Sequence, residues 1–151
     1  MKRPDSGMTK NSDTQTKTTS VTRSLLQRQN GKRDLRPGDV VIARNMPFHD
    51  KYGNKSRPVV VLSSYHHNQV RQDVVVASIS SQPVAGPWDL NVPEWREAGL
   101  KMPSKVICDS IWTVLQDSVM PVGQIDPETL TELKVRIALI LEPCRKCDEI
   151  E

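Results

Sequence analysis

Aromatic residues make up only 4% of this 151-residue chain: three Trp, two Tyr and one Phe. Binding by ring stacking must therefore depend on a few individual side chains. No apolar run is long enough to span a bilayer. The N-terminus is basic and Ser/Thr-rich but lacks the apolar core of a secretory signal. Cysteine is scarce: three residues, an odd number, one of them inside an expected strand, do not make a disulfide framework. A cytoplasmic protein with no membrane association is the expectation. Glycine-rich phosphate loops, a Walker motif, a nucleophile elbow and internal repeats are also missing, which argues against P-loop and α/β-hydrolase chemistry. Cys144 and Cys147 form a lone CxxC near a charged end. A structural zinc needs four ligands, and a second pair could come only from another copy of the chain. No metal or cofactor is expected.

Charge is present but unevenly placed. Residues 1–36 hold nine Lys/Arg against three Asp/Glu, a net of +6. The whole chain is +3, so residues 37–151 carry −3. Residues 1–34 are rich in Ser, Thr, Gln, Asn and Lys and show almost no apolar periodicity. Such a segment cannot bury enough surface to offset its ordering entropy, so it reads as a disordered basic tail. Composition leaves two uses open for it, an electrostatic arm for nucleic acid or a nonspecific extension. Residues 35–142 form the domain, and residues 143–151 a short charged tail.

Within the domain, Pro37-Gly38 is a turn signal and Asp39 to Ala43 a strand. A mixed-charge loop follows, 45–56, and then Val59 to Leu62, a short β-branched run typical of a buried strand. Asp73 to Ser81 is a third strand, apolar first and hydroxylated later. Residues 82–99 hold turn formers, Pro83, Gly86, Pro87 and Gly99 among them, and two Trp. Ser104 to Val114 is a further strand region, interrupted near Asp109. Asp126 caps a final helix with Pro127 at its first position and Glu128 in its first turn. Leu130, Leu133, Ile137, Ile140 and Leu141 make its apolar face, and Pro143 stops it. His66-His67 follows a strand and reads as a turn rather than a metal site. The implied fold is mainly β, a small, strongly curved barrel or half-barrel with a C-terminal helix.

The most informative stretch is Lys55-Ser56-Arg57-Pro58-Val59-Val60-Val61-Leu62. Pro58 cannot donate a ladder hydrogen bond and belongs at the strand's first position. Arg57 is then held at a strand mouth, where a planar guanidinium suits a phosphate.

Pro37-Gly38-Asp39-Val40-Val41, Pro47-Phe48 with Asp50, and Lys55 to Ser63 resemble the opening of the MazF/PemK toxins of type II toxin–antitoxin systems. The likeness runs on through Ser78 to Ser81, Trp95 to Leu100, Pro103 to Val106, Asp109, Thr113 and Gly123 to Asp126. It covers about residues 36–142. The resemblance implies an SH3-like barrel, a homodimer, and ribosome-independent endoribonuclease activity on single-stranded RNA. The substrate's own 2′-hydroxyl is the implied nucleophile, without metal, leaving a 2′,3′-cyclic phosphate and a 5′-hydroxyl.

That chemistry needs a base, an acid and a cation. By resemblance Arg57 stabilises the phosphate, Ser80 stands where many relatives have a functional Thr, and Asp109 matches a carboxylate that some relatives use as base. His49, Lys51 and Lys55 in the loop, Ser81, Lys105 and Trp112 are the candidate RNA-binding residues. Relatives often carry an Arg two residues before the Asp position or three after it. Ile107 and Trp112 stand there instead. Lys51, Lys55 or Lys105 could restore the charge, and Trp112 reads equally as a stacking face for an unpaired base or a core ring against the terminal helix. DNA would bind but not be cut. The expected protein partner is a cognate antitoxin with an acidic, flexible segment. Two other functions stay open: a noncatalytic inhibitor of the CcdB type, or a nucleic-acid-binding barrel without cleavage.

Overall fold

Runs of valine build the frame, because β-branched side chains fit a pleated surface buried on both faces. The computed structural model describes residues 34–46 and 55–142. The expectations for residues 1–33, for Pro47, Phe48, His49, Asp50 and Lys51, and for the Cys144/Cys147 pair lie outside the described residues.

Six strands form one antiparallel sheet: β1 Asp39–Met46, β2 Lys55–Val61, β3 Asp73–Ser80, β4 Asp89–Val92, β5 Ser104–Leu115 and β6 Val119–Gln124. Their order is β4-β5-β3-β2-β1-β6, so β4 and β6 are the edges. A short helix α1, Tyr65–Val70, follows β2, and α2, Pro127–Leu141, closes the fold. The chain is thus mainly β with a C-terminal helix, as the sequence implies. Three details differ. β2 begins at Lys55, and Pro58 lies inside it opposite Ile42, while the ladder to β3 starts only at Val59. His66 and His67 sit in α1, which Ser64 caps by accepting the His67 N–H. Leu141 is exposed at the end of α2, not part of its buried face.

Two apolar clusters lie on opposite faces of the sheet. On one face Val40, Val60, Ala77, Ile79, Val106 and Cys108 pack with Leu133 and with Leu130, Ile137 and Ile140 of α2. That helix forms where the sequence places it, since Asp126 accepts the Thr129 N–H at 2.8 Å and Pro127 follows it. On the other face Leu35, Val41, Ala43, Val59, Val61, Val74, Val76 and Val119 pack together, with Trp112 and Val114 against them. Buried Asn68 ties α1 to this side, donating to the carbonyls of Leu35 and Ser63 at 3.0 and 3.1 Å.

The turn at 93–99 closes on β6 through glycine. A Cβ on Gly123 would stand 2.4 Å from the Ala98 carbonyl oxygen, and one on Gly99 (φ +77°) 2.3 Å from that of Val122. Only hydrogen side chains allow this contact. Among the described residues no helix is long and apolar enough to cross a membrane.

Candidate active site

Side chains alternate across a strand, so the β3 residues that follow Val74 and Val76 on one face are Ser78 and Ser80. The apolar cluster therefore gives way to hydroxyls at one end of the same strand. Val59 pairs with Ser78. Running that register back through Pro58 sets Arg57 opposite Ser80. On the other side Ser80 pairs with Lys105 of β5. Arg57, Ser80 and Lys105 thus form one row across three strands.

Two bulges flank the row. In β1 the register slips between Ala43 and Met46, where Asn45 takes φ 58°, beside the Ala43–Arg57 pair. In β5 the slip is larger: Ala77 faces Ile111 while Ser78 faces Ile107. Cys108, Asp109 and Ser110 have no partner in β3, and the interruption expected near Asp109 is this bulge. It sends the three side chains different ways. Cys108 is buried in the helix-side core and its N–H bonds the Trp88 carbonyl at 2.8 Å. Burial pushes its thiol pKa up, so it stays neutral and inert. Asp109 is exposed. Ser110 turns to the opposite face and meets Ser78.

The candidate residues fare differently. Arg57 and Lys55 are exposed at the mouth of β2. Ser80 is half-buried and accepts the Gln82 N–H at 3.2 Å, which leaves its O–H hydrogen for a second partner. Ser81 is exposed just past the end of β3.

Lys105 requires a correction. Its side chain is 8% exposed and its ammonium is paired with Asp89, itself 12% exposed. It also donates to the Pro83 carbonyl at 2.7 Å. A buried ammonium must be matched by such acceptors, so Lys105 fastens residues 83–89 to the sheet and is not a groove cation. Burial pushes the Asp89 carboxyl up. The Lys105 hydrogen bond, the Ala85 N–H and the Lys105 charge outweigh it and hold the pKa below the ordinary value. Arg136 of α2 adds hydrogen bonds to the carbonyls of Pro87 and Asp89 at 2.9 and 2.7 Å.

Trp112 is half-buried on the second cluster, opposite Val76. Its Nε1–H points at Ser78 Oγ and Ser110 Oγ, 3.0 Å from each, and the two oxygens are 2.8 Å apart. Trp112 is a packed ring, but it lies on the face opposite α2, so the packing against the terminal helix that the core-ring reading expected is not what forms. Ser78 and Ser110 were not among the sequence candidates. Ser78 was visible in principle, two residues before Ser80 on the same strand face. Ser110 was not, because the bulge changes which side it takes. Among the described residues no three His, Cys, Asp or Glu side chains gather as metal ligands.

None of the curated proteins matches the chain. Solved structures do. The chain is similar to a crystal structure of MazE–MazF from Deinococcus radiodurans, with a TM-score of 0.60 at 16% identity over 75% of this chain and 100% of that one. An endoribonuclease from a mycobacterial species matches with a TM-score of 0.58 and 17% identity, over 73% and 93%. A mycobacterial endoribonuclease in complex with its cognate antitoxin matches with 0.56 and 19%, over 73% and 99%. At these identities the likeness shows the fold. The family model for the PemK-like, MazF-like toxin of type II toxin–antitoxin systems matches residues 36–141, more than half the chain, and the protein belongs to that family.

Proposed function

We propose that this protein is an endoribonuclease toxin that cuts single-stranded RNA without a metal ion. The observation that carries the reading is the row of Arg57 and Ser80 at the open end of the sheet, with Asp109 presented on the adjoining bulge. In the reaction a base removes the 2′-hydroxyl proton and the 2′-oxygen attacks the adjacent phosphorus. The P–O5′ bond breaks, and the leaving oxygen takes a proton. The products are a 2′,3′-cyclic phosphate and a 5′-hydroxyl. Because the nucleophile is already on the substrate, no metal-activated water is needed.

Asp109 is the base in this scheme, since it is exposed where the strand opens. Arg57 neutralises the charge that gathers on the phosphorane; an Arg side chain holds its proton too tightly to act as the acid. Ser80 donates to a phosphate oxygen. His49, which falls between β1 and β2 in the sequence, supplies acid–base chemistry near neutral pH. Lys51, Lys55 and Ser81 contact the RNA backbone. Two copies of the chain form the working dimer. The antitoxin is a separate chain whose acidic flexible segment covers the Arg57 end, as a cognate antitoxin accompanies one of the mycobacterial neighbours.

The test is cleavage of a long, weakly structured RNA in EDTA by wild type and Arg57→Ala, with the ends mapped. Discrete cuts that survive EDTA, carry cyclic phosphate and disappear in the variant are expected. A folded wild type that leaves the RNA whole would reject the ribonuclease reading in favour of an inhibitor that binds a protein target.

A further inference from the structure

The polar cluster beneath the β5 bulge has one hydrogen to spare. The indole N–H of Trp112 is a single donor with no acceptor capacity, and it is shared between Ser78 Oγ and Ser110 Oγ. The two hydroxyls carry two hydrogens, but only one can lie in the 2.8 Å gap between the oxygens. The second finds no acceptor among the described residues, and neither serine has a further partner there. Both oxygens already accept from the indole, which polarises their O–H bonds and favours donation outward. Both serines are half-buried, so the spare hydrogen can reach solvent.

Its position is specific. Ser78 lies on the face that carries Arg57, one diagonal step away in the β2–β3 register. Diagonal neighbours on a sheet face are about 7–8 Å apart, within the span of an arginine side chain. Ser110 adjoins Asp109. A group held between the guanidinium and the carboxylate would therefore lie beside the serine pair.

We propose that the Ser78–Ser110 pair, oriented by Trp112, is a directed hydrogen-bond donor to a non-bridging phosphoryl oxygen of the RNA backbone. This rests on the ribonuclease reading and deepens it: a neutral, pre-aimed donor stands where the resemblance leaves the site short of a second cation. An oriented donor costs no reorganisation when charge develops, the property that makes such groups effective toward a phosphorane. Trp112 is the positioning residue and the serines make the contact.

The experiment uses an oligoribonucleotide whose scissile phosphate is replaced by either phosphorothioate diastereomer, because sulfur accepts hydrogen bonds poorly. Wild type should cut one diastereomer about tenfold more slowly than the other. Ser110→Ala and Ser78→Ala should each lower kcat on the ordinary phosphate by about tenfold with little change in KM, and should erase that stereochemical preference. Trp112→Phe keeps the ring and removes the N–H, and should weaken the preference partway. Thermal melting establishes that each variant is folded, and the serine variants decide the matter if Trp112→Phe is not. Equal losses on all three substrates, or no loss, would overturn the proposal. A wild type that cuts no RNA would reject the ribonuclease reading instead. The donor is then judged by binding of an uncleavable 2′-deoxy oligonucleotide: several-fold weaker binding by the double serine variant upholds it, and unchanged or undetectable binding overturns it.

Discussion

The two faces of the sheet are built from the same strands yet end differently. On the helix side, Val40, Val60, Ala77 and Val106 lie under α2, and Arg136 of that helix is matched in place by Glu132 and by two backbone carbonyls. On the other side, the Val41, Val59, Val61, Val74 and Val76 cluster is not carried to the end of the sheet. It gives way to Ser78, Ser80, Ser110 and exposed Arg57. β3 shows the contrast within a single face, apolar for its first half and hydroxylated for its second. A buried strand becomes a site when its core face runs out of apolar residues before it runs out of sheet.

The sharpest test of this contrast pairs one residue from each region. Arg57→Ala should lower cleavage by about 10²–10³-fold, the usual loss when a group that stabilises transition-state charge is removed. Its melting temperature should stay within a degree or two of wild type, since Arg57 is exposed. Leu133→Ala should do the reverse. Leu133 is fully buried between α2 and the sheet, so its truncation should cost about 2–5 kcal/mol in denaturant unfolding while kcat of the folded fraction holds. If both variants moved both quantities, the two faces would not be separable.

Lys105 divides the regions next. Lys105→Met should cost about 3 kcal/mol, because it leaves Asp89 buried without its counter-ion. Salt should affect RNA affinity in this variant no differently from wild type. The same pair sets an acid limb. The Asp89 pKa is lowered in the fold, so its stabilisation is complete above the ordinary carboxylate value and is lost as pH falls through the lowered one. Asp89→Asn should flatten the stability profile below about pH 4. An unchanged acid limb would show that other carboxylates govern it.

The glycine seam is a smaller lever on the helix side. Gly123→Ala pushes a methyl into the Ala98 backbone and should cost about 2 kcal/mol, within the range for overpacking. Thermal unfolding reads this directly, with Gly86→Ala, where a Cβ would meet nothing within 4 Å, as the neutral control.

Much of this was legible beforehand, for reasons that also mark the limits. Val59 to Val61 and Val74 to Val76 announce strands because burial on both faces demands continuous apolar residues. Asp126-Pro127 announces a helix start through capping chemistry that is local. β4 and β6 went unread, since Asp89–Val92 is four residues inside a Pro/Gly-rich segment and Val119–Gln124 contains Pro121 and Gly123. Their pairing is decided by neighbours in space. The row of Arg57 and Ser80 could be foreseen from strand ends. Ser110 could not, because a three-residue bulge reverses the side a residue takes. Lys105 read as a site cation because its partner Asp89 is remote in sequence and sits among turn residues.

The smallest effect tests whether α2 serves only its own face. Asp126 Oδ1 accepts the Thr129 N–H at 2.8 Å and Oδ2 accepts the Thr129 hydroxyl at 2.6 Å. These bonds, the hydroxyl one foremost, hold its pKa below the ordinary value against the opposing effect of burial. Asp126→Ala should therefore cost about 1 kcal/mol at pH 7, the typical loss of an N-cap. The loss should shrink as pH falls through the lowered Asp126 value, where wild type also gives up the charged cap. Because Leu130 and Leu133 of this helix touch only the helix-side cluster, cleavage by the folded variant should match wild type. A fall in kcat without further loss of stability would mean that the helix end reaches the Arg57 side, and the separation of the two faces would have to be redrawn.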